Sequence, residues 1–143
     1  DLGVILKDFD VEKEAEELTI TTADIVVGAG RGVQTEDGMK AVQAFAQRID
    51  AAFGVSKPLV DKEWAPYEWQ IGITGKKIAP KIYIALGISG AIQHKLGIQD
   101  AGLIIAVNKD PDAPIFKFAH YGIVGDLFEV MPELEKQIKK IRG

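Results

Sequence analysis

Two apolar runs limit what this chain can fold into. Ile82 to Leu86 and Leu103 to Val107 are each short, continuous and rich in branched side chains. That is the pattern of strands buried on both faces. Between them the chain reads Gly87-Ile88-Ser89-Gly90-Ala91-Ile92-Gln93-His94 and reaches Gly97. Gly87 permits a sharp exit from the first strand. Ser89 is a good N-cap residue, so a short helix over 90–96 is expected, with Gly97 ending it. Strand, tight turn, helix and neighbouring strand form a parallel unit, and parallel sheets carry helices on their faces. The helix start then lies at the carboxyl end of a strand, the usual ligand position in such a sheet. Free N–H groups at that point suit an anion.

The remaining segments extend this plan. Ala23 to Val27 reads as another buried strand, leaving through Gly28-Ala29-Gly30-Arg31-Gly32. Met39, Val42, Phe45, Ala46, Ile49 and Phe53 recur at steps of three and four, which predicts an amphipathic helix. Thr35 or Asp37 would cap it and Gly54 would end it. Val55 to Asp61 reads as extended, with Pro58 arguing against a fully paired strand. Trp64, Pro66, Tyr67 and Trp69 form an aromatic loop whose rings are expected to pack, and Gln70 to Lys76 form a glycine turn. Lys109 to Pro114 is rich in breakers, and Ile115–Phe118 and Ile123–Val124 are short strand candidates. A terminal helix is expected from Met131-Pro132, with Pro in its first turn and Leu134, Ile138 and Ile141 on one stripe. Leu2 to Leu6 suggests an edge strand or the tail of a preceding domain, and 12–17 a charged connector. The expected architecture is a three-layer, Rossmann-like α/β fold around a parallel sheet of roughly five to seven strands, with right-handed crossovers.

Composition excludes several classes. At 143 residues the chain suits one domain with its own core. A net charge of −4 gives no basic footprint for nucleic acid. Cys is absent and the two His are far apart in sequence, which argues against thiolate chemistry, iron–sulfur clusters and a His-based metal site. No apolar run approaches membrane-spanning length. A cytoplasmic location is compatible with the lack of Cys.

The familiar motifs also fail. In Gly28-Ala29-Gly30-Arg31-Gly32-Val33 the third glycine of a dinucleotide fingerprint would fall on Val33. Gly75-Lys76 is followed by Lys77 rather than Ser or Thr, so it is no P-loop. Ser89 does not sit in a nucleophile elbow. No paired carboxylates suggest acid–base work, and no catalytic residue is expected. Arg31 remains a candidate phosphate ligand, since a guanidinium in a glycine loop offers a planar fork. His120 has no motif around it and is expected to serve packing.

The wording from Ile82 to His94, followed by Ile104-Ile105-Ala106-Val107-Asn108, resembles the electron transfer flavoprotein α-subunit, in its C-terminal FAD-binding domain. The resemblance runs from about Ala23 to Ile138, nearly the whole chain. It implies FAD as cofactor and an electron carrier rather than an enzyme. It also implies a heterodimer with a β-subunit, flavoprotein dehydrogenases as donors, and a quinone oxidoreductase or similar acceptor. A further domain is expected before this one, so 1–22 would be a connector and 23–143 the FAD-binding domain. The location implied is cytoplasmic, or the mitochondrial matrix in a eukaryote, with no membrane insertion.

The same resemblance implies cofactor contacts at named positions. Arg31 matches the family's FAD-contacting arginine. Ser56 and Lys57 match a Ser-Arg pair, the serine at the phosphates and the cation near the isoalloxazine. Lys57 keeps the charge and loses the planar fork. Ile71, Gly72, Ile73 and Thr74 match a turn beside the flavin ring, with Thr74 donating near N5 and Ile73 standing where Gln is usual. Ser89, Gly90, Ala91, Ile92, Gln93 and His94 match the signature turn and helix start, with His94 donating to flavin O2. Asn108, Asp126 and Leu127 match contacts toward the adenosine half. Asp126 reads equally well as an N-cap when taken from its own residues alone. Two rival readings stay open at this level. One is an NAD(P)-binding domain of a dehydrogenase or transhydrogenase. The other is a non-redox nucleotide-binding assembly module.

Overall fold

The computed structural model describes residues 20–142, so the segments 2–6 and 12–17 lie outside the described residues. Among the described residues five strands form the sheet: β1 (Ile25–Ala29), β2 (Ala52–Val55), β3 (Ile82–Leu86), β4 (Leu103–Asn108) and β5 (Tyr121–Val124). Their order is β2-β1-β3-β4-β5, and every neighbouring pair is parallel. Among the described residues four α-helices accompany them: α1 (Glu36–Arg48), α2 (Lys57–Asp61), α3 (Ile92–Ile98) and α4 (Leu127–Arg142).

Side-chain alternation along the strands divides the apolar residues between two cores. Ile25, Val27 and Ala29 of β1, Ile84 and Leu86 of β3 and Val107 of β4 point to one face. There they meet Met39, Val42, Phe45 and Ala46 of α1 and Leu127, Met131 and Ile138 of α4. Val26, Tyr83, Ala85, Ile104 and Ala106 point to the other face, against Ile98 of α3 and the buried loop residues Ile71, Ile78, Ile88 and Ile115. Burial on both faces is why these strands read as unbroken apolar runs. Across the surface, Arg48 Nε meets Glu135 Oε1 at 2.9 Å and links α1 to α4. The hydrogen bonds from Arg48 and Lys139 hold the Glu135 carboxyl below its ordinary range.

Several boundaries differ from the sequence expectation, each for a local reason. The first strand runs through Gly28 and Ala29 instead of ending at Val27. The first long helix ends at Arg48, so Phe53 and Gly54 belong to β2. Asp50, at φ 58°, takes the left-handed position that glycine usually fills after a helix, and Ala51 N–H returns to the Ala46 carbonyl at 2.9 Å. Residues Lys57–Asp61 are helical rather than extended; Pro58 sits in the first turn, where a missing N–H costs nothing. Helix α3 spans Ile92–Ile98 with Ala91 at its N-cap, so neither Ser89 nor Gly97 bounds it. Gly87 and Gly90 hold φ of 72° and 92°, which carries the chain through a longer turn before the helix begins. The expected strand at Ile115–Phe118 is a 3-10 turn over Pro114–Lys117 that buries Ile115. The last helix starts at Leu127, not Met131, and Pro132 lies inside it.

Thr35 caps α1, accepting from Gly38 N–H at 2.9 Å. Thr35→Ala should therefore lower stability by about 1 kcal/mol, read as a shift in the urea midpoint at unchanged slope.

Candidate functional site

The chain passes from β1 to β2 on one side and then returns to β3 on the other side of β1. That reversal is a switch point, and the two exit turns part there to leave a crevice at the carboxyl ends of the strands. A cleft of about 500 Å³ occupies this position. Its walls come from the residues that leave β1, β2 and β3, from Asn108 at the end of β4, from the 70–74 loop, and from the start of α3.

Backbone close approach builds the cleft. Gly30 N–H donates to the Leu86 carbonyl at 3.1 Å and Gly32 N–H to the Gly87 carbonyl at 2.9 Å, stitching the β1 exit to the β3 exit. A Cβ on Gly32 would lie 2.6 Å from Gly87 Cα. On the opposite wall, a Cβ on Gly97 would lie 2.5 Å from Gly72 Cα. Ile73 N–H donates to the Gln93 carbonyl at 2.9 Å and Ile78 N–H to the Gly97 carbonyl at 2.8 Å, so the 70–78 loop lies flat on α3. Tyr67 Oη donates to the Thr74 carbonyl and pins the tip of that loop.

The structure brings together Arg31, Ser56, Lys57, Ile71, Gly72, Thr74, Ser89, Gly90, Ala91, Gln93, His94 and Asn108, all on the cleft wall. It places Ile73, 46% exposed, and Ile92, 69% exposed, outside that wall. Asp126 and Leu127 also lie outside it. Asp126 caps α4, with Oδ1 accepting from Phe128 N–H at 2.9 Å. Leu127 is buried in the core beneath Gly87. His120 pairs with the start of β4 through Nδ1, which accepts from Ile104 N–H at 2.8 Å. The Trp69 ring packs edge-on against Phe53 at 5.8 Å.

Sequence reasoning missed Gly32, Pro58, Asp61, Gln70, Gly87 and Ile88, which also line the cleft. Gln70 is buried, and its Nε2 donates to Thr74 Oγ1 at 2.9 Å. With that lone pair occupied, the Thr74 hydroxyl proton is directed elsewhere, so Thr74 is set as a donor. Asp61 chelates Lys57 Nζ at 3.0 and 3.2 Å. The i,i+4 spacing was visible, but it signals a pair only on a helix, and this segment reads as extended. Asn108 ties the wall together: Nδ2 donates to the Ile88 carbonyl at 3.1 Å and Oδ1 accepts from Asp110 N–H at 2.9 Å. Among the described residues Arg31 has no ion-pair partner.

His94 is buried in the wall, 5% exposed. Its Nε2 lies 2.7 Å from Tyr83 Oη. Its Nδ1 is buried without a hydrogen-bond partner among the described residues. Burial lowers its pKa from 6.5 to about 4; the Ile71 backbone opposes that drop without completing a bond to Nδ1. The imidazole is therefore neutral at pH 7, with one ring nitrogen donating and the other accepting. The unfolded chain takes up a proton near pH 6.5 that the folded chain refuses until about pH 4. Stability is thus full above pH 6.5 and falls as the pH drops through that window. We expect a loss of about 2 kcal/mol by roughly pH 5 from this group, absent in His94→Gln, from urea titrations across the range.

An open parallel sheet with a glycine-walled cleft of mixed polar and apolar lining at its switch point is the arrangement of nucleotide-cofactor domains. The family model described as "Electron transfer flavoprotein FAD-binding domain" matches residues 19–99. The chain is 48% identical over 137 residues to the electron transfer flavoprotein subunit alpha of Thermoanaerobacterium thermosaccharolyticum, covering 95% of this chain and 42% of that protein. It is 45% identical over 141 residues to the Bacillus subtilis subunit alpha, covering 99% of this chain and 43% of that protein. For the Pseudomonas aeruginosa subunit alpha the identity is 51% over 119 residues, covering 83% and 38%. This chain belongs to the electron transfer flavoprotein FAD-binding domain family, whose cofactor is FAD. It spans less than half the length of these relatives.

The wall fits that cofactor on its own evidence. A buried imidazole nitrogen without a partner marks a place where a ligand's polar atom belongs. Thr74 adds a directed hydroxyl, and Arg31 a cation with no ion-pair partner among the described residues.

Proposed function

We propose that this chain is the FAD-carrying part of an electron transfer flavoprotein α-subunit. The whole protein would take electrons from flavoprotein dehydrogenases and pass them to a quinone oxidoreductase or another acceptor. The observation that carries this reading is the unpaired Nδ1 of a neutral, buried His94 on the wall of a cleft spanning four strand ends.

FAD supplies the electron-accepting ring; the chain's residues bind it, orient it and set its potential. His94 and Thr74 offer donors to the ring, His94 toward the pyrimidine side and Thr74 toward N5. Arg31 and Ser56 serve the phosphates. Lys57 supplies positive charge, tempered by Asp61, with which it shares the cleft rim. Asn108, with Asp126 and Leu127 beyond it, would serve the adenosine half. The domain assignment follows the same reading, with 23–143 as the FAD-binding domain. A β-subunit would cover the exposed Ile73 and Ile92 beside the ring end. No described helix is long and apolar enough to cross a membrane. The working location proposed is the cytoplasm, or the mitochondrial matrix in a eukaryote.

The visible spectrum of the protein purified with its second subunit tests this. Flavin bands at about 380 and 450 nm are expected. A colourless protein that binds NAD and ignores FAD would overturn it.

A further inference from the structure

Tyr83 is fully buried on the central strand, β3, where a hydroxyl is costly without a partner. Its oxygen is 2.7 Å from His94 Nε2. The neighbouring strand makes room for it: a Cβ added to Gly28 would lie 2.0 Å from Tyr83 Oη and 2.8 Å from Cζ. Gly28 is thus a strand glycine whose missing side chain is replaced by the head of a phenol. Burial raises the Tyr83 pKa well above its ordinary range and lowers that of His94, so both groups are neutral.

A neutral pair can share its protons in two ways. If Nε2–H donated to the phenol, the Tyr83 proton would be left among Gly28 and Ile88 with nothing to accept it. If the phenol donates to Nε2, the imidazole proton sits on Nδ1, the one buried side-chain atom among the described residues without a partner, on a residue of the cleft wall. The second arrangement puts the unpaired donor on a residue of the cleft wall, beside the Ile71 backbone.

We propose that Tyr83 is a positioning residue: its hydroxyl, seated over Gly28, donates to His94 Nε2 and so fixes the tautomer that presents Nδ1–H to an acceptor on the cofactor. This rests on the FAD-carrier reading and deepens it. The phenol never touches the flavin; it decides which way the imidazole works.

The test uses protein carrying [15N]histidine, loaded with FAD and paired with its second subunit. In the wild type, the His94 nitrogen shifts should show Nδ1 protonated and Nε2 bare. Tyr83→Phe keeps the ring and removes the proton, and should admit the Nε2–H tautomer. It should also reduce the preference for reduced over oxidised FAD about tenfold, which is about 59 mV for one electron. Gly28→Ala should push the phenol away and move both readouts in the same direction. An Nε2-protonated His94 in the wild type would overturn the proposal, whether or not either variant folds. So would a Tyr83→Phe protein with unchanged tautomer and potential. Failure of the FAD reading looks different: His94 shifts would not respond to FAD, while the tautomer in the free protein would still be measured.

Discussion

Gly97→Ala is expected to cost about 100-fold in FAD affinity, equivalent to about 2.7 kcal/mol. Alanine is ordinarily the better helix residue, and at an exposed site the change would stabilise α3. Here the added methyl would stand 2.5 Å from Gly72 Cα and 2.6 Å from Gly72 N. Both are backbone atoms, so no side chain can rotate away. The loop must lift off the helix, and with it go the Ile73–Gln93 and Ile78–Gly97 hydrogen bonds that hold Thr74 at the cleft. The first core, between α1, α4 and the sheet, is untouched by this movement. We therefore expect a folded protein with a small drop in its melting temperature and a large loss in a FAD titration. Equal affinity in variant and wild type would show that the loop does not need to lie on α3.

His94→Ala should lower the flavin midpoint potential by about 60 to 130 mV. The magnitude comes from one hydrogen bond to a charged group, about 1.5 to 3 kcal/mol, converted at about 59 mV per tenfold change for one electron. The sign follows from where charge develops. Reduction puts negative charge on the pyrimidine side of the ring, and a donor there stabilises the reduced form more than the oxidised form. Because His94 is neutral at pH 7, its effect is that of an N–H donor rather than a cation. Oxidised FAD should bind only modestly less tightly. A spectral redox titration of the loaded protein checks this, and an unchanged potential would remove His94 from the role assigned to it.

Much of this site could be read from the sequence because it is local. The turn from Ser89 to His94 and the loop from Ile71 to Thr74 each carry their chemistry within a few residues. Their host strands announce themselves as apolar runs. The unreadable part depends on what lies across the sheet or across a turn. Tyr83 reads as one more apolar strand residue until its hydroxyl is seen against His94 and its ring against Gly28. Gln70 reads as a loop amide until Thr74 closes on it. Asp61 becomes visible only once Lys57–Asp61 is a helix, and Pro58 argues against a strand without arguing for a helix. Asp50 follows α1 in a conformation usually reserved for glycine, so the first glycine after the periodic stretch, Gly54, lies beyond the true end of the helix. Asp126 had two readings, and one of them, the cap, is satisfied in the fold.

A crystal structure of the chain with FAD bound, in company with its second subunit, tests the central claim most directly. The isoalloxazine is expected in the switch-point cleft, with a pyrimidine carbonyl within hydrogen-bond distance of His94 Nδ1 and the N5 edge facing Thr74. The adenine ring against His94, or FAD seated anywhere but this cleft, would contradict it.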